Sequence, residues 1–257
     1  MRETSRKKRT LTWLTGGFFG FAILLSVGLI TFTIVFFFSR VDGPSMMTVL
    51  NAYHHTEGNT DAVIVNRHVR ASRGDIIVVR FYNDGRPSNT AGWHQSENGF
   101  YRYYIKRLIA VGGDTLNLGR YWPQGANQWH YVLELNGEPL IEEYLDSFWG
   151  ANLGRDSGFD RLWNMINNPT QRQLSPFSQF IRECPINPER FTIHIDEGYI
   201  FYIGDNRRQS HDSRTFGPQR ANLIVGVAVD IVRNNQSLPM YFLDWVWHIV
   251  SFRWAWG

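Results

Sequence analysis

Residues 101–111, YRYYIKRLIAV, form a run in which aromatic and β-branched side chains predominate, and a turn-forming GGD follows. Side chains of these types favour extended strands. Six further runs have the same character and are separated by turn signals: residues 62–69, 75–82, 128–135, 190–195, 198–204 and 222–232. None of these runs keeps a 3.6-residue repeat. The sequence therefore predicts a mainly β protein built on an antiparallel sheet.

Residues 140–190 break this pattern. They are polar, weakly periodic and rich in loop-forming residues, with one short helix expected around residues 159–167. We therefore expect a loop-rich cap inserted into the sheet domain at about residues 118–195.

An uncharged segment, residues 10–39, lies between Arg9 and Arg40. At about 1.5 Å of rise per residue, a helix of this length crosses a hydrocarbon core of roughly 30 Å. A cleaved secretory signal is the alternative, but the apolar core of a signal is typically about 7–15 residues long and ends in small residues. This segment ends in FFFSRVDG, so we expect a retained transmembrane helix over residues 11–38.

The charges on the two flanks predict the orientation of this helix. Residues 1–10 carry five basic and one acidic side chain. Basic flanks stay cytoplasmic, so residues 1–10 are the expected cytoplasmic tail and residues 40–257 the exported domain. Without the tail, the 26 Lys+Arg and 23 Asp+Glu of the chain fall to 21 and 22. The exported domain therefore has no excess of positive charge that would attract nucleic acid.

Cysteine and histidine usage argues against disulfides and metal sites. Cys184 is the only cysteine, so the exported domain has no internal disulfide. The eight histidines are scattered, and the neighbouring His54 and His55 cannot chelate an ion from one face of a helix or strand. We expect no metal and no cofactor.

The C-terminal residues 241–257 contain four tryptophans. This aromatic tail is too short to span a bilayer, and Asp244, His248 and Arg253 interrupt it. Tryptophan prefers the headgroup region, which favours contact with the membrane surface. A core strand or a packed helix is an equally good interpretation.

Ser45 and Lys106 are the first candidates for chemistry. Ser45 lies in VDGPSMMTVL (41–50), where Gly-Pro-Ser on its own indicates only a turn. Because side chains alternate along a strand, one of Lys106 and Arg107 can be exposed while the other turns inward. Burial of an ammonium group is costly unless the group becomes neutral. A neutral lysine beside a serine hydroxyl is a base that could accept the hydroxyl proton.

The third candidate segment is GDNRRQSHDSR, residues 204–214. It is too polar for a strand, so we expect a loop bound by its own hydrogen bonds. Asp212 and Arg214 are spaced to form an ion pair or to clamp neighbouring backbone. A solvated surface loop is the alternative.

These segments resemble the sequence boxes of the bacterial type I signal peptidases, a family of membrane-bound serine–lysine proteases. The match rests on GPSM (43–46) with Leu50, RGDIIVV (73–79), YIKRLIAVGGD (104–114), GDNRRQSHDSR (204–214) and the following FGPQRANLIVGVAV (216–229). Their order, their spacing and their position after a transmembrane helix all agree with the family.

The resemblance implies a role for each residue of the site. Ser45 becomes the nucleophile and Lys106 its general base, while Ser210 hydrogen-bonds and orients the lysine amine. Asp212 and Arg214 hold the loop in place without doing chemistry. The same box supplies two further supporting residues, Asp205 and Asn206.

The resemblance also implies where substrate binds. The residues that line the shallow apolar pockets and the substrate-pairing strand (103–106) are Val41, Leu50, Tyr103, Tyr104 and Ile105. The backbone N–H of Ser45 helps to bind the oxyanion. Gly43 stands where some members carry an additional serine hydroxyl, so the oxyanion hole is expected to rely on backbone donors.

Two positions depart from the family pattern. Thr48 stands where proline usually follows three residues after the nucleophile, and AVGGD (110–114) replaces the usual Gly-Leu-Pro-Gly-Asp. Each change frees a backbone torsion that proline would fix. We expect pocket shape and substrate range to be affected.

The activity implied by the resemblance is that of an endopeptidase in the bacterial cytoplasmic membrane, with its catalytic domain on the periplasmic or outer face. Its partners would be the lipid bilayer and the exported pre-proteins from which it removes signal peptides. One alternative is a processing peptidase dedicated to one pilin or secretion-system subunit. Another is a catalytically inactive, membrane-anchored domain that binds peptides. The combination of Ser45, Lys106 and Ser210 argues for an enzyme, and the transmembrane helix argues against the self-cleaving serine–lysine repressors.

Overall fold

The computed structural model describes residues 2–47, 49–50, 60–83, 94–96, 99–125, 129–145, 157–182 and 190–233. These residues form a long N-terminal helix, two antiparallel sheets and three shorter α-helices. The prediction of a mainly β, antiparallel fold is confirmed. Thr48, Cys184 and the aromatic tail (241–257) lie outside the described residues, so both interpretations of the tail stay predictions.

Helix α1 spans Arg2–Val35 and contains the stretch Thr15–Val35, which is long and apolar enough to cross a membrane, with a mean hydropathy of 2.4. Its bounds correct the sequence prediction at one end. Residues 2–10, the expected basic tail, are helical as well, because arginine, lysine and glutamate are good helix formers. The helix ends at Val35 rather than at residue 38, because the following residues, Phe36–Arg40, form strand β1 and pair with the next strand.

Strand β5, Gly99–Val111, is the longest strand of the larger sheet and lies in its interior. The other strands of this sheet are β2 Ala62–Asn66, β3 Ile76–Asn83, β4 His94–Ser96, β10 Tyr199–Ile203, β11 Gln219–Arg220 and β12 Ile224–Val232. Their order is β1-β2-β12-β3-β5-β10-β11, with β4 also pairing with β5. Five of the predicted runs form strands of this sheet: residues 62–69, 75–82, 101–111, 198–204 and 222–232.

Apolar side chains cover both faces of the larger sheet. Successive residues of a strand point to opposite faces, so Val78 and Ile105 pack in one layer while Ile77 and Leu108 pack in the other. The first layer also contains Met46, which follows the candidate nucleophile. Because both faces are covered at the C-terminal half of β5, Lys106 and Arg107 are buried as well.

The cap forms a second sheet and is more regular than the loop-rich insertion that we expected. Its strands are β6 Thr115–Tyr121, β7 His130–Leu135, β8 Glu138–Pro139 and β9 Arg190–His194, in the order β8-β7-β6-β9. The sequence of β6, TLNLGRY, has too few apolar residues to be recognised as a strand from its pattern alone. Two of them, Leu116 and Leu118, nevertheless point into the core of the cap.

One helix packs on this second sheet, and a shorter helix follows it. Helix α2, Ser157–Asn167, confirms the helix expected at 159–167, and it buries side chains three or four residues apart: Phe159, Leu162, Trp163 and Ile166. Helix α3, Pro169–Leu174, was not expected. Its start has a recognisable signal, since Asn168 caps the helix by accepting from the N–H of Gln171 at 3.1 Å and proline follows the cap.

The turn after β5 explains one departure from the family pattern. A Cβ atom at Gly112 would lie 2.9 Å from Cα of Glu197 and 3.1 Å from the backbone nitrogen of Gly198. Gly113 has a φ of +90°, a conformation that favours glycine. The turn therefore packs its backbone directly against residues 197–198, and a proline ring has no room at position 112.

We expect Gly112→Ala to destabilise the protein by about 1–3 kcal/mol, because the turn at residues 197–198 must move to make room. Gly112→Pro, which restores the usual residue of the family, should lower the stability at least as much. Thermal unfolding of the full chain in detergent measures both, with Val132→Ala on the exposed side of β7 as the control. An unchanged melting temperature for Gly112→Ala would show that the turn moves at no cost.

Candidate active site

Ser45 and Lys106 meet in the structure. Ser45 lies in the turn after β1 and is half-buried, whereas Lys106 projects from β5 and is only 2% exposed. The Lys106 Nζ lies 2.6 Å from the Ser45 Oγ and donates to the carbonyl of Ile105 at 3.1 Å. The geometry places an amine within hydrogen-bonding distance of a hydroxyl, as a serine–lysine pair requires.

The surroundings of Lys106 favour the neutral amine. Burial lowers the pKa of Lys106 to about 8, and the charges of Arg214 and Arg102 act in the same direction. The negative charge of Asp212 opposes this shift without reversing it. The ring of Tyr104, 5.2 Å from the amine, adds an aromatic wall.

Arg107 is buried together with Lys106, so neither of the two neighbours is the exposed one. Its guanidinium makes a two-point contact with Asp205, with Nε–Oδ1 at 2.8 Å and Nη2–Oδ2 at 2.7 Å. It also donates to the Gly74 carbonyl at 2.6 Å and lies 3.6 Å over the ring of Tyr144. No sequence pattern predicts this contact, because Arg107 and Asp205 are 98 residues apart.

The polar loop, residues 204–214, holds in place the turn that carries Ser45, the candidate nucleophile turn. The backbone N–H of Asn206 donates to the Ser45 carbonyl at 3.0 Å, and its side-chain amide donates to the Pro44 carbonyl at 2.9 Å. The N–H of Asp205 points to the sulfur of Met46 at 3.5 Å. Asp205 and Asn206, predicted only as supporting residues, therefore connect the loop to both sides of Ser45.

Asp212 and Arg214 form the expected ion pair. The Arg214 Nε and Nη2 donate to the two carboxylate oxygens of Asp212 at 2.9 and 2.8 Å, and the N–H of Gly204 donates to the same carboxylate at 3.0 Å. Burial alone would raise the pKa of Asp212, but the charge and hydrogen bonds of Arg214 bring it down to about 2. Both side chains are buried, so the alternative of a solvated surface loop is wrong.

Ser210 requires a correction. Its Oγ is buried and makes no hydrogen bond to the lysine amine that it was expected to orient. It lies near the Asp212 carboxylate instead, where it helps to lower the pKa of that group. The side chain also packs against Gly204, where an added Cβ atom would collide both with Ser210 and with the carbonyl of Ser45. The missing side chain at Gly204 thus lets the loop approach the nucleophile turn, a role that sequence reasoning missed.

The cap contacts the same loop through Glu142. The Glu142 carboxylate pairs with the Arg207 guanidinium, with Oε2 2.7 Å from Nη1, and both side chains are buried. Glu142 follows β8, and no motif marks it in the sequence. This ion pair connects the second sheet to the loop that holds Ser45.

The structure brings together only some of the predicted pocket residues. Val41, Leu50 and Ile105 are buried in one cluster beside the nucleophile turn. Tyr103 is 39% exposed, and Tyr104 points to the opposite face of β5, towards Lys106. The three aliphatic residues can therefore line one pocket, while the two tyrosines lie apart.

One edge of β5 is open beside the serine–lysine pair. On one side β3 pairs with Phe100–Arg107. On the other side β4 pairs with residues 99–101 of β5, and β10 pairs with residues 107–111. Within the described residues, the backbone of residues 102–106 therefore has no strand partner on that side, which leaves room for an extended peptide.

Among the described residues, no three His, Cys, Asp or Glu side chains come together as a metal-binding group. The groups of the site that can carry out chemistry are the Ser45 hydroxyl and the Lys106 amine.

Comparisons with known proteins identify the family of this chain. The family model described as signal peptidase, peptidase S26, matches residues 12–232. Signal peptidase I S of Bacillus subtilis (strain 168) is 27% identical over 218 residues, which are 82% of this chain and 82% of that protein. Signal peptidase I of Aquifex aeolicus (strain VF5) is 26% identical over 177 residues, 61% of this chain and 62% of that protein.

A solved signal peptidase I from Enterococcus faecalis V583 has 22% sequence identity and a TM-score of 0.32, over 63% of this chain and 98% of that chain. The family assignment does not depend on this likeness, because the family model itself matches most of the chain. The protein therefore belongs to the signal peptidase family, peptidase S26, and is a hydrolase of the serine protease class.

Proposed function

We propose that this protein is a membrane-anchored serine endopeptidase that removes signal peptides from exported pre-proteins, with Ser45 as nucleophile and Lys106 as general base. The observation that carries the proposal is the 2.6 Å approach of the buried Lys106 amine to the Ser45 hydroxyl. Membership of the signal peptidase family supports the substrate class. Helix α1 supports the membrane anchor, with the five basic residues of its N-terminal end on the cytoplasmic side.

In the first half of the reaction, neutral Lys106 takes the hydroxyl proton of Ser45 while Oγ attacks the carbonyl carbon of the scissile peptide bond. The carbonyl oxygen becomes an oxyanion, which the backbone N–H of Ser45 stabilises. As the C–N bond breaks, the Lys106 ammonium gives its proton to the leaving nitrogen. The products are an acyl-enzyme and the mature chain with a free amino terminus.

In the second half, a water molecule replaces the leaving chain. Lys106 takes a proton from the water as its oxygen attacks the acyl carbon. The bond to the Ser45 Oγ then breaks, and Oγ recovers its proton from Lys106. The signal peptide leaves with a new carboxyl terminus, and both side chains return to their initial states.

The lowered pKa is what makes this lysine a base. A free lysine with a pKa near about 10.4 is neutral in roughly one molecule in 2,500 at pH 7. With a pKa of about 8 for Lys106, the neutral fraction is about one in ten. The burial of the amine thus raises the population of the reactive form by more than about a hundredfold.

The open edge of β5 supports binding of the substrate as an added strand. Residues 102–106 would donate and accept backbone hydrogen bonds, which are independent of substrate sequence. The apolar side chains of Val41, Leu50 and Ile105 would then select small residues at the −1 and −3 positions. A peptidase dedicated to one substrate would use the same chemistry, whereas an inactive peptide-binding domain has no need for a lysine buried against a serine.

Cleavage of a pre-protein by the purified full chain in detergent tests the proposal. We expect wild-type protein to cut at the end of the signal peptide, and Ser45→Ala to reduce turnover by about a thousandfold or more. The melting temperature of Ser45→Ala should stay close to wild type, because a half-buried hydroxyl contributes little to packing. Ser178→Ala, an exposed serine in the cap, is the control, and full activity in Ser45→Ala would exclude Ser45 as the nucleophile.

The pH dependence tests the base. Because the active form contains neutral Lys106, turnover should rise with pH through one ionisation near the pKa of about 8 and then level off. Lys106→Arg should be inactive at every pH from 6 to about 10, because a guanidinium does not deprotonate in this range. Steady-state rates across this range measure both effects. Substantial turnover by Lys106→Arg contradicts the serine–lysine mechanism.

Gly204→Ala tests how strictly the loop positions the nucleophile. The new methyl group would push the Ser45 carbonyl away, and displacement of a reacting group by about 1 Å can cost about 100-fold in rate. We expect kcat to fall at least tenfold with little change in KM.

The matched control for this variant is Gly226→Ala, whose Cβ atom would also meet a backbone carbonyl, 2.5 Å from the oxygen of Asn66, and would lie 2.7 Å from Val65 Cγ1, both away from Ser45. The control should lose stability to a similar degree and keep its kcat. Equal losses of kcat in both variants would mean that general destabilisation, rather than the position of Ser45, sets the rate.

A further inference from the structure

The loop between β2 and β3 lies beside the end of the membrane helix. The N–H of Arg67 donates to the carbonyl of Val35, the last residue of α1, at 3.0 Å. The Arg67 guanidinium lies 4.5 Å over the ring of Phe37. Strands β1 and β2 pair with Phe36 opposite Asn66, and this register places Arg67 beside the end of α1. In the proposed orientation, the loop therefore starts at the outer surface of the membrane.

This basic loop, residues 67–73, reads RHVRASR and contains three arginines and no acidic residue. Arg67 and Arg70 are exposed, and within the described part of the chain no ion pair joins either of them to an acid. The Arg73 side chain is 50% exposed while it pairs with buried Asp114. The basic loop thus presents positive charge to the solvent at the level where lipid headgroups lie.

An open cavity of about 710 Å³ lies beside the basic loop. All three arginines line it together with Ser72, and among its described lining residues Glu197 is the only acid. Val69, which also lines the cavity, is 45% exposed. A space of this size accommodates a small molecule such as a phosphorylated headgroup with its glycerol, and its net positive charge favours an anion.

Hydrogen bonds hold the basic loop in one shape. The N–H of Ser72 donates to the Asp75 carboxylate at 2.7 Å. The N–H of Gly74 donates to the Leu108 carbonyl at 2.8 Å, and the N–H of Leu108 donates to the Asp75 carbonyl at 2.9 Å. Because these bonds attach the loop to the end of β5, a ligand does not have to order it first, which lowers the entropic cost of binding.

We propose that the basic loop and its cavity bind the headgroup of an anionic phospholipid in the outer leaflet, next to the end of α1. The planar guanidinium groups match the oxygens of a phosphate. Val69 and the apolar stems of the arginines contact the adjoining glycerol and acyl region. This site rests on the proposed function only for the placement of α1 across the membrane, and it is separate from the serine–lysine pair.

The test is a calorimetric titration of the full chain, in an uncharged detergent, with dihexanoyl phosphatidylglycerol. Parallel titrations use dihexanoyl phosphatidylcholine and inorganic phosphate. We expect saturable binding of the phosphatidylglycerol, at least about tenfold tighter than that of the other two ligands. Equal binding of phosphatidylcholine overturns the preference for an anion, and equal binding of inorganic phosphate overturns the assignment to a lipid.

The double variant Arg67→Gln/Arg70→Gln should weaken binding of the phosphatidylglycerol about 30-fold, since each basic residue at a membrane surface contributes roughly fivefold. Arg70→Gln alone, which leaves the contact of Arg67 with Phe37 intact, should weaken it about fivefold. The control Arg161→Gln/Arg182→Gln removes the same charge from exposed positions of the cap and should bind as wild type. Wild-type affinity in the double variant, or an equal loss in the control, overturns the site.

Cleavage of a pre-protein in the same lipid-free detergent separates this proposal from the proposed function. The double variant should keep its cleavage rate while losing the lipid, because neither arginine contacts the serine–lysine pair. Lipid binding without any cleavage by the wild-type protein would contradict the proposed function and leave the lipid site standing.

Discussion

The low pKa of Lys106 depends on how the charges of the neighbouring carboxylates are neutralised. Asp205 and Asp212 both exert a negative charge that favours the protonated lysine. Each carboxylate is held by an arginine of its own, Arg107 and Arg214, through two hydrogen bonds. In the described part of the chain no carboxylate bonds to the lysine itself. Desolvation is therefore the largest effect on the pKa of Lys106 and lowers it, as the proposed role of a general base requires.

The same ion pairs that neutralise the site also determine its geometry. A buried ion pair contributes little net stability, but removing one partner is costly because the other charge stays buried. The loop is consequently restricted to one arrangement, and through Asn206 it holds the turn that carries Ser45. Arg207 and Glu142 extend this restriction to the cap. The free energy that offsets the cost of so many buried charges comes from the apolar layers on both faces of the larger sheet and from the core of the cap.

The parts of the structure that the sequence predicts are those encoded by neighbouring residues. The β-rich runs and helix α2 follow from local composition and period. The end of α1 does not, because Phe36–Phe38 is as apolar as the helix, and only its pairing with β2 makes it extended. Ser45 and Lys106 are predicted as a pair only through a resemblance between whole sequence boxes, since neither residue is informative alone. Lys106 makes no hydrogen bond to Ser210, contrary to expectation, because the position of the Ser210 hydroxyl depends on packing against Gly204 that no motif encodes.

Helix α1 passes into β1 without a connecting residue, since Val35 ends the helix and Phe36 begins the strand. In the proposed orientation the catalytic domain thus has no flexible tether on which to swing. Ten residues of chain, Phe36 to Ser45, set the height of the nucleophile above the bilayer. A substrate anchored in the same bilayer by its own apolar segment meets the nucleophile at a fixed elevation. The protein would therefore select its cleavage site partly by the distance of that site from the membrane, in addition to the fit of side chains in its pockets.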